Sequence, residues 1–143
     1  MRIIEPATEA DFEQYYQLRY DVLRAPWQQP PGTERASDDD RAIHAMLLDP
    51  ENRAAGVCRL HFENEEEGQL RFMAIREDLQ NQGLGKYLLH YLEDKARDAG
   101  CKYITLQARE LAVNFYKRYG YKVVKKTHLL FGSIQHYQME KYL

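Results

Sequence analysis

Residues 70–92 have the sequence LRFMAIREDLQNQGLGKYLLHYL. The run Leu70–Ile75 is apolar on both faces toward its end, which is typical of a strand in the centre of a sheet. Gln80–Gly85 follows as a short turn with two glycines. Leucine then recurs every four residues from Leu84 to Leu92, the spacing of a helix that buries one face. The segment therefore predicts a central strand, a tight turn and an amphipathic helix.

The turn between this strand and this helix has the chemistry of a phosphate site. Gly83 and Gly85 carry no Cβ, so a ligand can approach the backbone there. The first N–H groups of a helix lack intrahelical partners and carry the positive end of its dipole, which favours a pyrophosphate. A Walker loop is excluded because Tyr87 follows Lys86, and a dinucleotide fingerprint needs a third glycine near the first strand. A plain strand-to-helix turn is the alternative interpretation.

Strand and helix patterns alternate along the rest of the chain. Thr8, with Asp11 three residues later, predicts the N-terminal cap of a helix over residues 9–24. Prolines and a glycine predict a loop over residues 25–40. Further strands are predicted over residues 1–5, 41–48, 54–63, 103–107, 121–127 and 134–142, and the remaining helix over 111–119. This order predicts an α/β fold with a mixed sheet.

Composition limits the classes of protein that need to be considered. With 143 residues, 44% of them hydrophobic, the chain predicts a single domain over 1–143 that folds without disulfides or a structural metal. A net charge of −2 gives no basic excess for a nucleic-acid partner. The absence of a long apolar run or a signal-peptide pattern predicts a cytoplasmic protein without a membrane partner. Cys58 and Cys101 are expected to be buried free thiols. The histidines lack ligand spacing, so no metal is expected.

Two motifs together resemble the GNAT superfamily of N-acetyltransferases. Gln80–Gly85 is similar to the R/Q-x-x-G-x-G/A signature of that family, and Met73-Ala74-Ile75 matches the end of its fourth strand. Residues 112–121, AVNFYKRYGY, are similar to its second signature, N-x-x-FY-x-x-x-G-F/Y. Asn114 departs from that pattern because it stands directly before the Phe-Tyr pair. The resemblance covers residues 55–142 well, and the first 50 residues only in layout.

The resemblance implies both a fold and a donor. The fold is a mixed, mostly antiparallel central sheet of about six to seven strands with flanking helices. Two parallel central strands, around Ile75 and Leu106, splay apart at their C-terminal ends. The pantetheine arm of acetyl-CoA lies in that gap beside the strand backbone, and its pyrophosphate lies on the N–H groups of residues 82–86. The donor residues that the resemblance implies are Met73, Ala74, Ile75, Gln80, Asn81, Gln82, Gly83, Leu84, Gly85, Lys86, Asn114 and Tyr116.

The resemblance also implies a reaction, in which a primary amine attacks the acetyl thioester directly. Tyr116 would donate a hydrogen bond to the sulfur and protonate the leaving thiolate. Helical spacing predicts an apolar stripe of Leu111, Phe115 and Tyr119, with Tyr116 turned away from it; a core aromatic is the alternative. Some relatives carry an I-x-H-x-x-M segment similar to the one around His136, which makes this histidine a candidate for a catalytic role and for the acceptor site, while the sequence leaves the general base open. A structural histidine is the alternative.

The acceptor is less well defined by the sequence. Trp27, the only tryptophan, lies in the proline-rich loop, and the family builds its acceptor pocket from this region. We therefore expect Trp27 and His136 to line a pocket between this loop and the final two strands. The acidic runs Asp38–Asp40 and Glu65–Glu67 would attract a basic acceptor or be solvated surface. His61 and Arg71, on strands beside the cleft, are weaker candidates for the site.

Several alternatives stay open at this point. The acceptor is a small-molecule or peptide amine of unidentified structure. An acyltransferase for a hydroxyl acceptor or for a longer acyl chain is a further alternative, which the width of the pantetheine gap would decide. A homodimer is also left open. The rival from another class is a non-catalytic module that binds acyl-CoA and docks to a partner, because it would keep the same binding residues.

Overall fold

Seven strands form one sheet in the order β1-β2-β3-β4-β5-β7-β6, and the computed structural model describes all 143 residues. Only β4 and β5 pair in parallel, and every other neighbouring pair is antiparallel. The strands are β1 (Arg2–Ile4), β2 (Ile43–Leu48), β3 (Ala54–Phe62), β4 (Glu67–Ile75), β5 (Tyr103–Arg109), β6 (Lys122–Leu130) and β7 (Ile134–Tyr142). The helices are α1 (Glu9–Leu23), α2 (Gly85–Asp98) and α3 (Val113–Arg118). The predicted mixed, mostly antiparallel sheet is confirmed.

Helix α1 begins where the sequence predicts. The Thr8 hydroxyl accepts a hydrogen bond from the Asp11 N–H at 3.1 Å, and the Asp11 carboxylate accepts one from the Thr8 N–H at 3.2 Å. This reciprocal pair satisfies two N–H groups that the helix itself cannot. Two short 3₁₀ turns, Ala25–Trp27 and Asp39–Arg41, interrupt the loop that follows.

Several predicted elements have different bounds in the structure; β5, for example, runs to Arg109 rather than residue 107, and β6 to Leu130 rather than residue 127. Strand β4 begins at Glu67 rather than Leu70, because Glu67 and Gly68 already pair with β5. The predicted apolar stripe on the last helix is wrong: Leu111 is 99% exposed, whereas Tyr116 is 7% exposed. The reason is a 3₁₀ turn over Glu110–Ala112, whose tighter winding takes Leu111 out of phase with α3.

The two faces of the sheet are covered by different helices. Helix α1 packs on one face, where Tyr15 and Leu18 contact residues such as Val57 and Ala74. Helices α2 and α3 pack on the other face, where Leu88 and Tyr116 belong to the larger apolar cluster. The two faces therefore have separate apolar cores.

Strands β4 and β5 separate toward their C-terminal ends. Their pairing runs from Glu67–Tyr103 to Leu70–Leu106 and then stops, although β4 continues to Ile75 and β5 to Arg109. At the same position along β4, a bulge interrupts its pairing with the neighbour on its other edge, β3. Since Val57 pairs with Ala74 and Arg59 with Arg71, Phe72 and Met73 together oppose one residue of β3, and Phe72 has a φ of 60°. Such a bulge bends its strand, here away from β5.

A buried cluster of charges ties the loop after α1 to the sheet. Asp39 accepts hydrogen bonds from the guanidinium groups of Arg19, at 2.8 Å, and Arg59, at 2.7 Å. Asp38 accepts a second hydrogen bond from Arg59 at 2.6 Å, and both arginine side chains are fully buried. Asp39 is thus buried and Asp38 half-buried in ion pairs, so neither is free to attract a substrate, whereas Asp40 is exposed.

Three further observations concern the helices, the groups that could bind a metal and the cysteines. No helix in the chain has both the length and the apolar character needed to cross a membrane. No three His, Cys, Asp or Glu side chains come together in a group that could hold a metal ion. Cys58 and Cys101 are buried free thiols, and burial raises the pKa of Cys58 to about 12.

Asp39→Asn should lower the free energy of unfolding by about 3–5 kcal/mol, because it leaves two buried arginines without their shared countercharge. Urea denaturation at pH 7 measures this loss. Asp40→Asn is the matched control, since the Asp40 side chain is 83% exposed. A loss of less than about 1 kcal/mol for Asp39→Asn would mean that the cluster contributes no more than a surface ion pair.

The same cluster predicts a dependence on pH. Hydrogen bonding to Arg59 lowers the pKa of Asp38 from its usual 3.8 to about 2. Burial acts to raise the pKa of Asp39, but the Ala36 N–H and both arginines hold it below the usual value. This stabilisation is therefore complete above pH 3.8 and is lost as the pH falls toward 2. Urea titrations at falling pH should show the loss in the native protein and a smaller one in Asp39→Asn.

Candidate active site

A cavity of about 600 Å³ occupies the gap between β4 and β5. Its wall is built from the end of α1, the end of β4, the glycine turn, the end of β5, α3 and the final hairpin. Of the residues predicted for the site, those that line the cavity are Met73, Ala74, Ile75, Gln80, Asn81, Gly83, Leu84, Gly85, Tyr116 and His136. Those outside its wall are Gln82, Lys86, Asn114 and Trp27.

The glycine turn presents a row of N–H groups without partners. The backbone N–H groups of residues 81–84 donate no hydrogen bond within the chain. Gly83 has a φ of +75° and open space where a side chain would begin. The Gln80 side-chain amide donates to the Ile75 carbonyl at 2.9 Å, which fixes the turn to the end of β4. This arrangement can bind an anion through the backbone.

The second glycine of the motif has a different role. A Cβ on Gly85 would lie 3.1 Å from Cζ of Phe115, so a side chain there would push against α3. Gly85 therefore allows α2 and α3 to pack closely, while Gly83 supplies the left-handed backbone and the open approach.

The predicted donor residues outside the cavity wall lie at its margins. The Gln82 side chain is exposed, and its amide is 3.5 Å from the Asp78 carbonyl. Lys86 holds its ammonium 5.2 Å from the centre of the Tyr87 ring. Asn114 is exposed on α3 and its side chain makes no hydrogen bond. No hydrogen bond or ion pair holds any of these three side chains toward the cavity.

Tyr116 is buried in the wall of the cavity. Its ring packs edge-to-face against Phe115 at 5.1 Å and Tyr121 at 5.7 Å between centroids. Burial, reinforced by Cys58 and only partly offset by Arg109, raises the pKa of Tyr116 above its usual value. Its hydroxyl makes no hydrogen bond with any other group of the protein, so a protonated phenol is free to act on a bound molecule.

His136 is also buried in the wall, at the end of β7 that faces the final turn. Its Nδ1 lies 2.9 Å from the Ile134 carbonyl, which can only accept, so Nδ1 carries the proton and Nε2 a lone pair. The ring stacks on His128 at 4.4 Å. Burial lowers the pKa of His136 from 6.5, and the charges of His128 and Arg109 add to this, against the effect of the Ile134 hydrogen bond. At neutral pH the ring is an uncharged base.

Three arginines line the cavity on the side of α1, and sequence reasoning gave little weight to them. Arg24 and Arg109 were missed, and Arg71 was only a weak candidate. Arg109 lies 4.6 Å from the Trp27 ring, and Arg24 lies 5.5 Å from the Phe131 ring. The alternation of apolar and polar residues along β5 was the available signal for Arg109.

Trp27 joins the loop after α1 to the final hairpin. Its ring lies 6.2 Å from that of Phe131, in the β6–β7 turn, and packs on Arg109. Trp27 thus contacts Arg109, which lines the cavity, but does not line the cavity itself. His61, the other weak candidate, lies outside the cavity with its Nε2 at 3.8 Å from Asp38 and 3.6 Å from Glu63.

Known proteins resemble the chain in both sequence and fold. The profile of the acetyltransferase (GNAT) family matches residues 12–121. The chain is 26% identical over 142 residues, 99% of each chain, to YjcF of Bacillus subtilis strain 168, which is named an uncharacterized N-acetyltransferase. The fold is that of an aminoglycoside 6′-N-acetyltransferase solved with coenzyme A, with a TM-score of 0.82 at 16% identity over 99% and 97% of the two chains. A GNAT family acetyltransferase from Elizabethkingia anophelis, solved with acetyl-CoA, also has a TM-score of 0.82 at 16% identity over the same shares.

Gly83→Val should raise the Kd for acetyl-CoA by at least about tenfold, because the side chain would occupy the approach to the N–H groups. Gly100→Val is the matched control: Gly100 has a φ of +85°, equally open space, and a place at the other end of α2. Both variants carry a backbone strain of about 1–2 kcal/mol. Calorimetry on the two folded variants separates strain from binding, and equal Kd values would place the pyrophosphate elsewhere.

Proposed function

Because the chain belongs to the acetyltransferase (GNAT) family, we propose that it transfers the acetyl group of acetyl-CoA to a primary amine by direct attack. The match to the family model confirms the resemblance that the two motifs show. One observation carries the proposal beyond the family. The cavity between β4 and β5 is lined by two kinds of polar group that have no hydrogen-bond partner in the protein. They are the backbone N–H groups of the glycine turn and the Tyr116 hydroxyl. Those are the groups that an acyl-CoA thioester needs.

The donor extends along the gap from the glycine turn. Its pyrophosphate binds to the N–H groups of residues 81–84, at the positive end of α2. Its pantetheine arm lies beside Met73 and Ile75 as an added strand, because β5 no longer pairs with this part of β4. The Ile75 carbonyl already accepts one hydrogen bond from Gln80 and keeps a second lone pair for the arm.

The transfer requires three events at the thioester. The amine nitrogen attacks the carbonyl carbon and forms the C–N bond, while its proton passes to Nε2 of His136. A backbone N–H near Met73 stabilises the oxyanion that forms on the carbonyl oxygen. The C–S bond then breaks with its electron pair on sulfur, and the Tyr116 hydroxyl donates a hydrogen bond to the departing thiolate, which leaves with CoA.

The properties of the two side chains suit these roles. A lowered pKa keeps His136 uncharged at neutral pH, so its lone pair is available to the amine. A raised pKa keeps Tyr116 protonated throughout the same range. Since a phenol is ordinarily a weaker acid than a thiol, Tyr116 acts chiefly by a hydrogen bond that stabilises the thiolate.

The release of free CoA thiol tests the proposal directly. With acetyl-CoA and a panel of primary amines, the enzyme should release thiol only when an amine is present, and an acetylated amine should appear in equal amount. A chain that binds acetyl-CoA but releases no thiol with any amine would instead be a non-catalytic acyl-CoA-binding module.

Tyr116→Phe should lower kcat by about 100-fold, because the group that assists the leaving thiolate is lost. The melting temperature and the Kd for acetyl-CoA should change little, since the hydroxyl makes no hydrogen bond within the protein. Thiol release, thermal denaturation and calorimetry measure the three quantities.

Tyr121→Phe is the matched control for this substitution. The Tyr121 hydroxyl donates to the buried carboxylate of Glu93 at 2.8 Å, so its removal should cost about 1–3 kcal/mol of stability and leave kcat unchanged. A Tyr116→Phe enzyme with the kcat of the native protein would show that Tyr116 only packs.

A further inference from the structure

We propose that the acceptor amine carries an anionic oxygen group, a carboxylate or a phosphate, which binds to Arg24, Arg71 and Arg109. The inference rests on the proposed function, because it names the class of molecule that enters the acceptor side of the same cavity. The arginines lie in the cavity wall, and no Asp or Glu is found there.

The arginines lie on the face of the sheet opposite to the donor groups. The bulge in β4 directs both Arg71 and Phe72 toward α1, where Arg71 lies 4.4 Å and Arg19 of α1 lies 4.1 Å from the Phe72 ring. Arg109 lies on the same face, since it packs on Trp27. Tyr116 and α2 are on the other face. The arginines are therefore placed to meet the acceptor and not the pyrophosphate.

These arginines lack the carboxylate partners that neighbouring arginines have. Arg19 and Arg59 are fully buried nearby, and each forms an ion pair with Asp39. Arg24 donates only to the backbone carbonyls of Thr33 and Leu23, and neither Arg71 nor Arg109 donates a hydrogen bond to any group of the protein. The protein thus neutralises its structural arginines and leaves those of the cavity with unused donors.

The charges in the cavity act on one another. Partial burial lowers the pKa of Arg24, Arg71 and Arg109, and the charge of a nearby arginine lowers it further in each case. Glu34 acts in the opposite direction on Arg24 and Asp38 on Arg71, but the pKa of each arginine still falls below its usual value. Arginine stays protonated even so, and its planar group binds carboxylate or phosphate with two parallel hydrogen bonds. A positive field of this kind favours an anionic molecule and opposes a polycationic one.

The position of the anion would also orient the amine. Arg109 pairs with His136 across β5 and β7, so the two side chains project side by side from the same face. When the anionic group of an acceptor binds to Arg109, an amine close to that group in the same molecule therefore lies near Nε2 of His136.

Calorimetry on the protein saturated with CoA tests acceptor binding without turnover. The probes are two pairs that differ in the anionic group: L-phenylalanine with L-phenylalaninamide, and O-phosphoethanolamine with ethanolamine. The anionic member of at least one pair should bind at least about tenfold more tightly than its neutral partner. The first pair reports a carboxylate acceptor and the second a phosphate acceptor.

Arg71→Gln and Arg109→Gln should each reduce that preference at least about threefold. Arg41→Gln, which removes the same charge from an exposed ion pair outside the cavity, should keep it. Equal affinity within both pairs for the native protein, or an unchanged preference in both cavity variants, would overturn the inference.

Two further measurements separate this inference from the proposed function and from its nearest rival. Anionic preference without release of CoA thiol would contradict the proposed transfer and leave the anion site supported. Succinyl-CoA places the anion on the acyl group instead. If the amine pairs bind alike, and binding of succinyl-CoA but not acetyl-CoA depends on Arg71 and Arg109, the arginines recognise the donor and the assignment to the acceptor is wrong.

Discussion

Strand β4 cannot pair with β5 beyond Leu70, because the bulge at Phe72 and Met73 turns its C-terminal half away. The rest of the site depends on this single constraint. It opens a cavity through the sheet, leaves backbone groups of β4 without a neighbouring strand, and places the glycine turn at the mouth of the gap. It also separates the two reactants, because one face of the gap meets α2 and α3 and the other meets α1.

The bulge has a cost that the surrounding charges help to offset. A phenylalanine with a φ of 60° is in a region that bulky residues avoid, at a cost of about 1–3 kcal/mol. The Phe72 ring lies 4.1 Å from the guanidinium carbon of Arg19, a cation–π contact worth about 1–2 kcal/mol where water is excluded. Asp39 in turn holds Arg19 in place. The ion pairs behind the site therefore stabilise the strand geometry that creates it.

The sequence predicts this site where the chemistry is local and misses it where the chemistry depends on the fold. The glycine turn and Tyr116 belong to short motifs, so their placement in the cavity wall could be expected from the residues alone. The bulge could not, because no glycine marks the left-handed residue. Leu111 was misplaced because spacing alone does not distinguish a 3₁₀ turn from an α-helix. Arg24 and Arg109 are 85 positions apart in the sequence, and only the packing of α1 against the folded sheet brings them to one cavity.

The most direct test of the central claim, that acetyl-CoA occupies the gap between β4 and β5, is a titration of the ¹⁵N-labelled protein with CoA. The account predicts that the amide resonances of residues 81–84 and of Met73 shift together and saturate at one Kd. Amides remote from the gap, such as that of Asn52 in the β2–β3 turn, should stay in place. Saturable shifts confined to other parts of the chain, with residues 81–84 unchanged, would contradict the account.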